Sequence, residues 1–148
     1  YMAQVPSTLS GGTVVDTAEA HALWVSGEAV FVDVLPRAPE PEGLPEGTIW
    51  RRPPHSSIPG SAWLPNVGYQ ALADVDDRYF REGLAAVTEG DPGRAVVLFC
   101  LDDCWMSWNA AKRAIEYGYG AVHWYPEGVD GWTFEDHPTE VVEPFSLP

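Results

Sequence analysis

Three short apolar runs constrain this chain most: Val30-Phe31-Val32-Asp33-Val34, Val96-Val97-Leu98-Phe99 and Ala121-Val122-His123-Trp124-Tyr125. Each has the length of a strand, and helical spacing separates them. Before the first run, Asp16 with Glu19 three residues on forms a helix-start signature, Ala20, Leu23 and Trp24 share a face, and Gly27 ends the pattern. Between the first two, Phe80, Leu84 and Val87 mark a helix opened by Asp76 and closed near Gly90. After the second run come Ala110, Ala111, Ala114 and Ile115, small positions suited to close packing, then Gly118 and Gly120. Strands alternating with helices predict an α/β fold, a central, mostly parallel sheet with helices on both faces. Any site then lies at the carboxyl ends of the strands.

The chain has 148 residues, 45% of them hydrophobic, enough for one domain with a sizeable core and no need of a disulfide to fold. We divide it into a flexible N-terminal segment at 1–13 and a single domain at 14–148. Tyr1–Gly12 is polar and aperiodic, and reads either as the trimmed start of a secreted protein or as an appended remnant. Seven of the 14 prolines fall between Pro36 and Gly60. That density rules out helix or sheet interior and predicts a long surface loop at 36–60, with Trp50, Arg51 and Arg52 at its middle. Pro126–Trp132 reads as a turn-rich loop able to cover a site, and His137–Pro148 as surface coil. With 22 acidic against 8 basic residues the net charge is −14, which repels phosphate backbones and argues against nucleic-acid binding. No run reaches the roughly 18 apolar residues of a membrane span.

Both cysteines of the chain lie in one five-residue stretch. Cys100 ends the second apolar run, and Cys104 precedes the alanine-rich helix. The N–H groups of that loop and of the helix start favour a thiolate. Asp102 and Asp103 in the loop oppose it, each effect being worth on the order of 1 kcal/mol. Asp33, at the end of the neighbouring run, is a candidate supporting group, with loop capping an equal alternative. Residues four apart around a curled loop can reach disulfide geometry. Two soft thiolates with a histidine such as His55 or His123 would also suit Cu(I) or zinc. His21, on the first helix, reads as a half-packed surface residue. Lys112 and Arg113, two turns into the third helix, read as a solvated face.

Asp33 at a strand end, Ile58-Pro59-Gly60-Ser61 opening a short strand, Cys100 ahead of a loop and helix, and the Gly128–Trp132 turn together resemble a rhodanese domain, over about residues 14–135. More narrowly, Cys100-Leu-Asp-Asp-Cys104-Trp105, Trp108–Arg113 and Tyr125–Trp132 resemble the rhodanese-like CXXCW motif proteins associated with PQQ-dependent catabolism. The resemblance implies a rhodanese-like, periplasmic protein related to sulfurtransferases, working beside a PQQ-dependent dehydrogenase system or another redox partner. One departure stands out. The arginine that closes the family's cysteine loop falls here on Trp105 or Met106, and Asp102 and Asp103 would repel an anionic sulfur donor. The reading is therefore a thiol/disulfide redox or sulfur-handling site, with Cys100 as the primary reactive residue and Cys104 as its resolving or co-ligating partner. Trp105 and Trp132 are candidate shields for the sulfurs, core packing being the stronger alternative for Trp132. No cofactor is required. The competing readings are a copper or zinc site on Cys100 and Cys104, or a catalytically inactive docking module.

Overall fold

Adjacent strands pair in parallel throughout the main sheet, as long crossover connections allow. In the computed structural model the sheet runs β1-β6-β5-β2-β4, with β1 at Thr13–Val14, β2 at Ala29–Asp33, β4 at Ala62–Trp63, β5 at Ala95–Phe99 and β6 at Val122–Tyr125. Residues 2–37 and 41–147 are described; Tyr1, residues 38–40 of the Pro-rich loop and Pro148 lie outside.

The central strand shows why its run is apolar without interruption. Val96 and Leu98 enter one core layer, Val97 and Phe99 the other, so β5 has no solvent face. The first layer also holds Phe80 and Leu84 of α2 (Asp74–Val87) and Met106, Ala110, Ala111 and Ala114 of α3 (Trp105–Glu116). The second holds Ala20 of α1 (Thr17–Ser26) and Val129 and Trp132 of α4 (Gly128–Phe134). Fully burying a Phe or Leu is worth roughly 1.5–3 kcal/mol, so Phe80 and Leu84 anchor α2 although most of that helix is polar.

Local rules account for the helix ends. Asp16 accepts from the Glu19 N–H at 2.8 Å while Glu19 accepts from the Asp16 N–H at 3.1 Å, a complete capping box. Gly27, at φ +70°, closes α1 in the left-handed region. Helix α2 starts at Asp74, two residues before the expected Asp76, with three aspartates in the first turn complementing the helix dipole.

Three local expectations need correction. The stretch from Pro126 is not all loop: residues 128–134 form α4, because burial of Val129 and Trp132 outweighs the weak helix propensity of Gly128 and Gly131. The tail is not all coil: β7 (Glu140–Val142) pairs antiparallel with β3 (His55–Ser57), at the end of the Pro-rich segment. Arg113 is not on a solvated face. Its guanidinium donates to the carbonyls of Val67 at 2.8 Å, Tyr69 at 2.9 Å and Gln70 at 3.3 Å, clamping that loop onto α3.

Within residues 2–12, Leu9 is 6% exposed, Trp108 Nε1 donates to the Thr8 carbonyl at 3.1 Å, and Met2 forms an antiparallel bridge with Cys104.

Candidate functional site

The end of β5 releases the chain into the loop Cys100–Cys104, which turns directly into α3. Cys104 is the residue just before the helix, with extended backbone, so its side chain occupies the position from which Ser or Asp would accept from the next N–H groups. The Cys100 and Cys104 sulfurs lie 2.6 Å apart, inside ordinary van der Waals contact. Cys100 is 0% and Cys104 1% exposed.

Two thiols this close ionise as a pair, and the first charge settles on one of them. That one is Cys104. The hydrogen bond with Cys100 pulls its ionisation down, burial opposes, and the N–H groups of Met106, Leu101 and Ser107 add to the pull, leaving it at about 7. Cys100 keeps its proton well above the usual thiol range, because of its bond to Cys104 first, then burial, then the charge of Cys104 and that of Asp33. The N–H groups at the start of α3 thus bear on Cys104, the second of the two cysteines.

The acid that bears on Cys100 is thus Asp33, whereas Asp102 and Asp103 are exposed. Asp102 is anchored through its backbone, its N–H donating to Asp130 Oδ2 at 2.9 Å. Asp103 has φ +51°, a left-handed turn that lets the loop enter α3. Opposite them, Val129 N–H donates to the Cys100 carbonyl at 2.9 Å. A Cβ on Gly128 would collide with that same carbonyl, so only glycine permits the approach.

Asp33 is fully buried and fully occupied. Its Oδ2 accepts from Ser57 Oγ at 2.7 Å and meets His55 Nε2 at 2.5 Å, while Oδ1 accepts from the Leu35 N–H at 2.9 Å. Both readings of Asp33 from sequence, supporting group and loop cap, are thereby present in one side chain. His55 is committed to this carboxylate, and His123 Nδ1 lies 3.2 Å from the Ala121 carbonyl. Among the described residues no group of three or more His, Cys, Asp or Glu could hold a metal ion.

The two candidate shielding tryptophans part company. Trp105 opens α3 beside Cys104 and packs edge-on against Trp108, with ring centroids 5.4 Å apart. Together they line a cleft of about 590 Å³ with Tyr69, Gln70 and Lys112. Trp132 belongs to the other core layer, where it meets Trp24, His21 and His137, and it is core rather than a shield for the sulfurs. His21 stacks on His137 at 4.0 Å, consistent with its half-packed reading.

Sequence reasoning missed Ser107. It is buried, donates to the Cys104 carbonyl at 3.1 Å, and accepts from Trp124 Nε1 at 2.9 Å, tying the helix start to β6. Its place three residues after Cys104 was the available signal.

No protein-family model matches the sequence, and no curated protein matches it. Solved structures do match. A thiosulfate sulfurtransferase from Pseudomonas aeruginosa superposes with TM-score 0.57 at 18% identity, over 90% of this chain and 21% of that one. This chain therefore spans about a fifth of that enzyme's length. The polysulfide-sulfur transferase homodimer of Wolinella succinogenes gives TM-score 0.53 at 17% identity, over 88% of this chain and 80% of that one. A Rhodopseudomonas palustris protein of unknown function, described as a possible tyrosine phosphatase, gives 0.58 at 20%, over 95% of this chain and all of that one. At these identities the likeness is one of fold, and with the parallel sheet covered on both faces it makes the architecture of this chain rhodanese-like.

Proposed function

We propose that the Cys100–Cys104 loop is a sulfur-handling site working by thiol–disulfide exchange, with Cys104 as the attacking thiolate and Cys100 as the buried resolving thiol. The observation that carries this reading is the 2.6 Å approach of the two sulfurs at the start of α3. The sulfurtransferases among the structural neighbours support sulfur handling in the broad sense. In the exchange, the Cys104 thiolate attacks one sulfur of a partner disulfide. A new S–S bond forms, the partner's bond breaks, and the leaving thiolate takes up a proton. Cys100 then loses its proton and attacks Cys104, which closes the Cys100–Cys104 disulfide and releases the second partner thiol. Two electrons pass to the partner, and the reverse sequence oxidises one.

The motif resemblance supports a periplasmic setting and a link to PQQ-dependent alcohol oxidation. An oxidising compartment suits a dithiol that cycles. Without a cation in the loop, bulk transfer from thiosulfate is the weaker use of this site. A Cu(I) or zinc site on the two thiolates is the competing reading from the spacing.

The test is thiol counting and trapping. The oxidised wild type should show no free thiol and two after reduction, and Cys100→Ser should accumulate a mixed disulfide with glutathione at Cys104 by mass spectrometry. Tight one-to-one Cu(I) binding by the reduced wild type, lost in either single variant, would replace exchange with metal binding. Two freely alkylated cysteines after oxidant treatment would remove the exchange reading.

A further inference from the structure

Both sulfurs are sealed from solvent, so a substrate needs a part of the cover that can leave. Beside Cys104 runs the segment Met2–Ala3. Met2 bridges Cys104 in antiparallel fashion, and the Ala3 N–H donates to the Asp103 carbonyl at 2.9 Å. This segment is lightly held. Met2 is 50% exposed and Ala3 and Gln4 are exposed, whereas the anchorage lies farther along, at Val5, at Thr8 and at Leu9. The left-handed turn at Asp103 aims its carbonyl outward at this strand-like segment.

We infer that Met2–Ala3 occupies the docking track of the site's true partner, an extended, cysteine-bearing polypeptide segment with basic flanking residues. The inference rests on the exchange reading above and names its partner. The backbone of Asp103–Cys104 pairs antiparallel with any extended chain, whatever its side chains, because the pairing uses main-chain groups. A segment in the place of Met2–Ala3 runs beside Cys104, where a cysteine can meet its sulfur. Charge supplies the selection. The other flank of the loop is a cleft of about 260 Å³ lined by Asp102, Glu127, Asp130 and Glu135, with Phe134, which is 84% exposed, at its rim. In a chain of net charge −14 that cleft favours lysine or arginine and repels acidic segments.

The test uses the full chain in the Cys100→Ser background and follows release of thionitrobenzoate from probes activated with it. The probes are an eight-residue cysteine peptide flanked by lysines, the same peptide flanked by glutamates, and activated cysteamine as a small control. The lysine peptide should react about tenfold faster than the glutamate peptide at low salt, with the gap closing at 0.5 M salt. It should also outrun the small cation, because only a peptide offers main-chain pairing. Ala3→Pro removes the N–H that holds this segment to Asp103, and should speed all three probes by about fivefold, the worth of one hydrogen bond of about 1 kcal/mol. Equal rates for the two peptides, or no gain over cysteamine, or no effect of Ala3→Pro, would overturn this inference while leaving the exchange reading intact. No reaction with any probe, with or without Ala3→Pro, would overturn both.

Discussion

The ends of β2 and β5 lie side by side, joined by the Val34 N–H donating to the Phe99 carbonyl at 3.0 Å, yet they treat buried polarity differently. At β2, Asp33 has a donor for each oxygen, from Leu35, Ser57 and His55. At β5, the sulfurs have chiefly each other and the N–H groups of a helix start. The first arrangement is complete and leaves nothing to react. The second sets two sulfurs against each other, with Cys104 the more readily ionised of the pair. A satisfied buried network is structural, while a polar group whose best partner is another nucleophile is poised for chemistry.

The largest effect should come from breaking the complete side. Asp33→Ala leaves the buried Ser57 hydroxyl and the part-buried Leu35 N–H and His55 ring without their acceptor, and should cost on the order of 3 kcal/mol in denaturant unfolding. Asp33→Asn keeps an oxygen for the Leu35 N–H and should lose less. Equal losses would show that charge, rather than donor count, holds this corner together.

On the reactive side, Cys100→Ala removes the sulfur partner whose hydrogen bond pulls Cys104 down to about 7. Iodoacetamide alkylation of Cys104 should then shift its midpoint toward the free-thiol value of about 8.5, slowing about tenfold at pH 7. An unchanged profile would assign the activation to α3 alone. The wild type carries the matching signature in stability. Because Cys104 ionises more readily folded than unfolded, its contribution is present above the free-thiol pKa and fades as pH falls through about 7. Cys100, raised instead, removes stability once the pH passes the free-thiol range, so the pair should stabilise the fold most near pH 8.5. The smallest effect should follow Asp103→Gly. It relieves a left-handed residue at φ +51° and should stabilise by less than about 1 kcal/mol, without altering the alkylation midpoint.

Much of this was legible in the residues. The capping box at Asp16 and Glu19, the two-faced burial of Val96–Phe99 and the placement of Cys100 at a strand end depend on contacts within four residues or on a period of two. The same holds for the expectation that Cys100 and Cys104 approach each other, since the loop that joins them is short. The tail was misread because β7 finds its partner at His55–Ser57, more than 80 residues earlier, and Glu140–Val142 has no strand signal of its own strong enough to announce it.

By itself the sequence determined the alternation of strands and helices, and with it the parallel sheet and the edge where both cysteines and Asp33 meet, because periodicity and capping are local physics. Only the tertiary structure decided that Cys104 ionises more readily than Cys100. That depends on Cys104 sitting at the start of α3 while Cys100 is enclosed beside the buried charge of Asp33, on the next strand. It also decided that His55 and Ser57 complete Asp33 and that Met2–Ala3 covers the loop, since folding sets the partners of a buried charge and of a free backbone edge across distances no local pattern encodes.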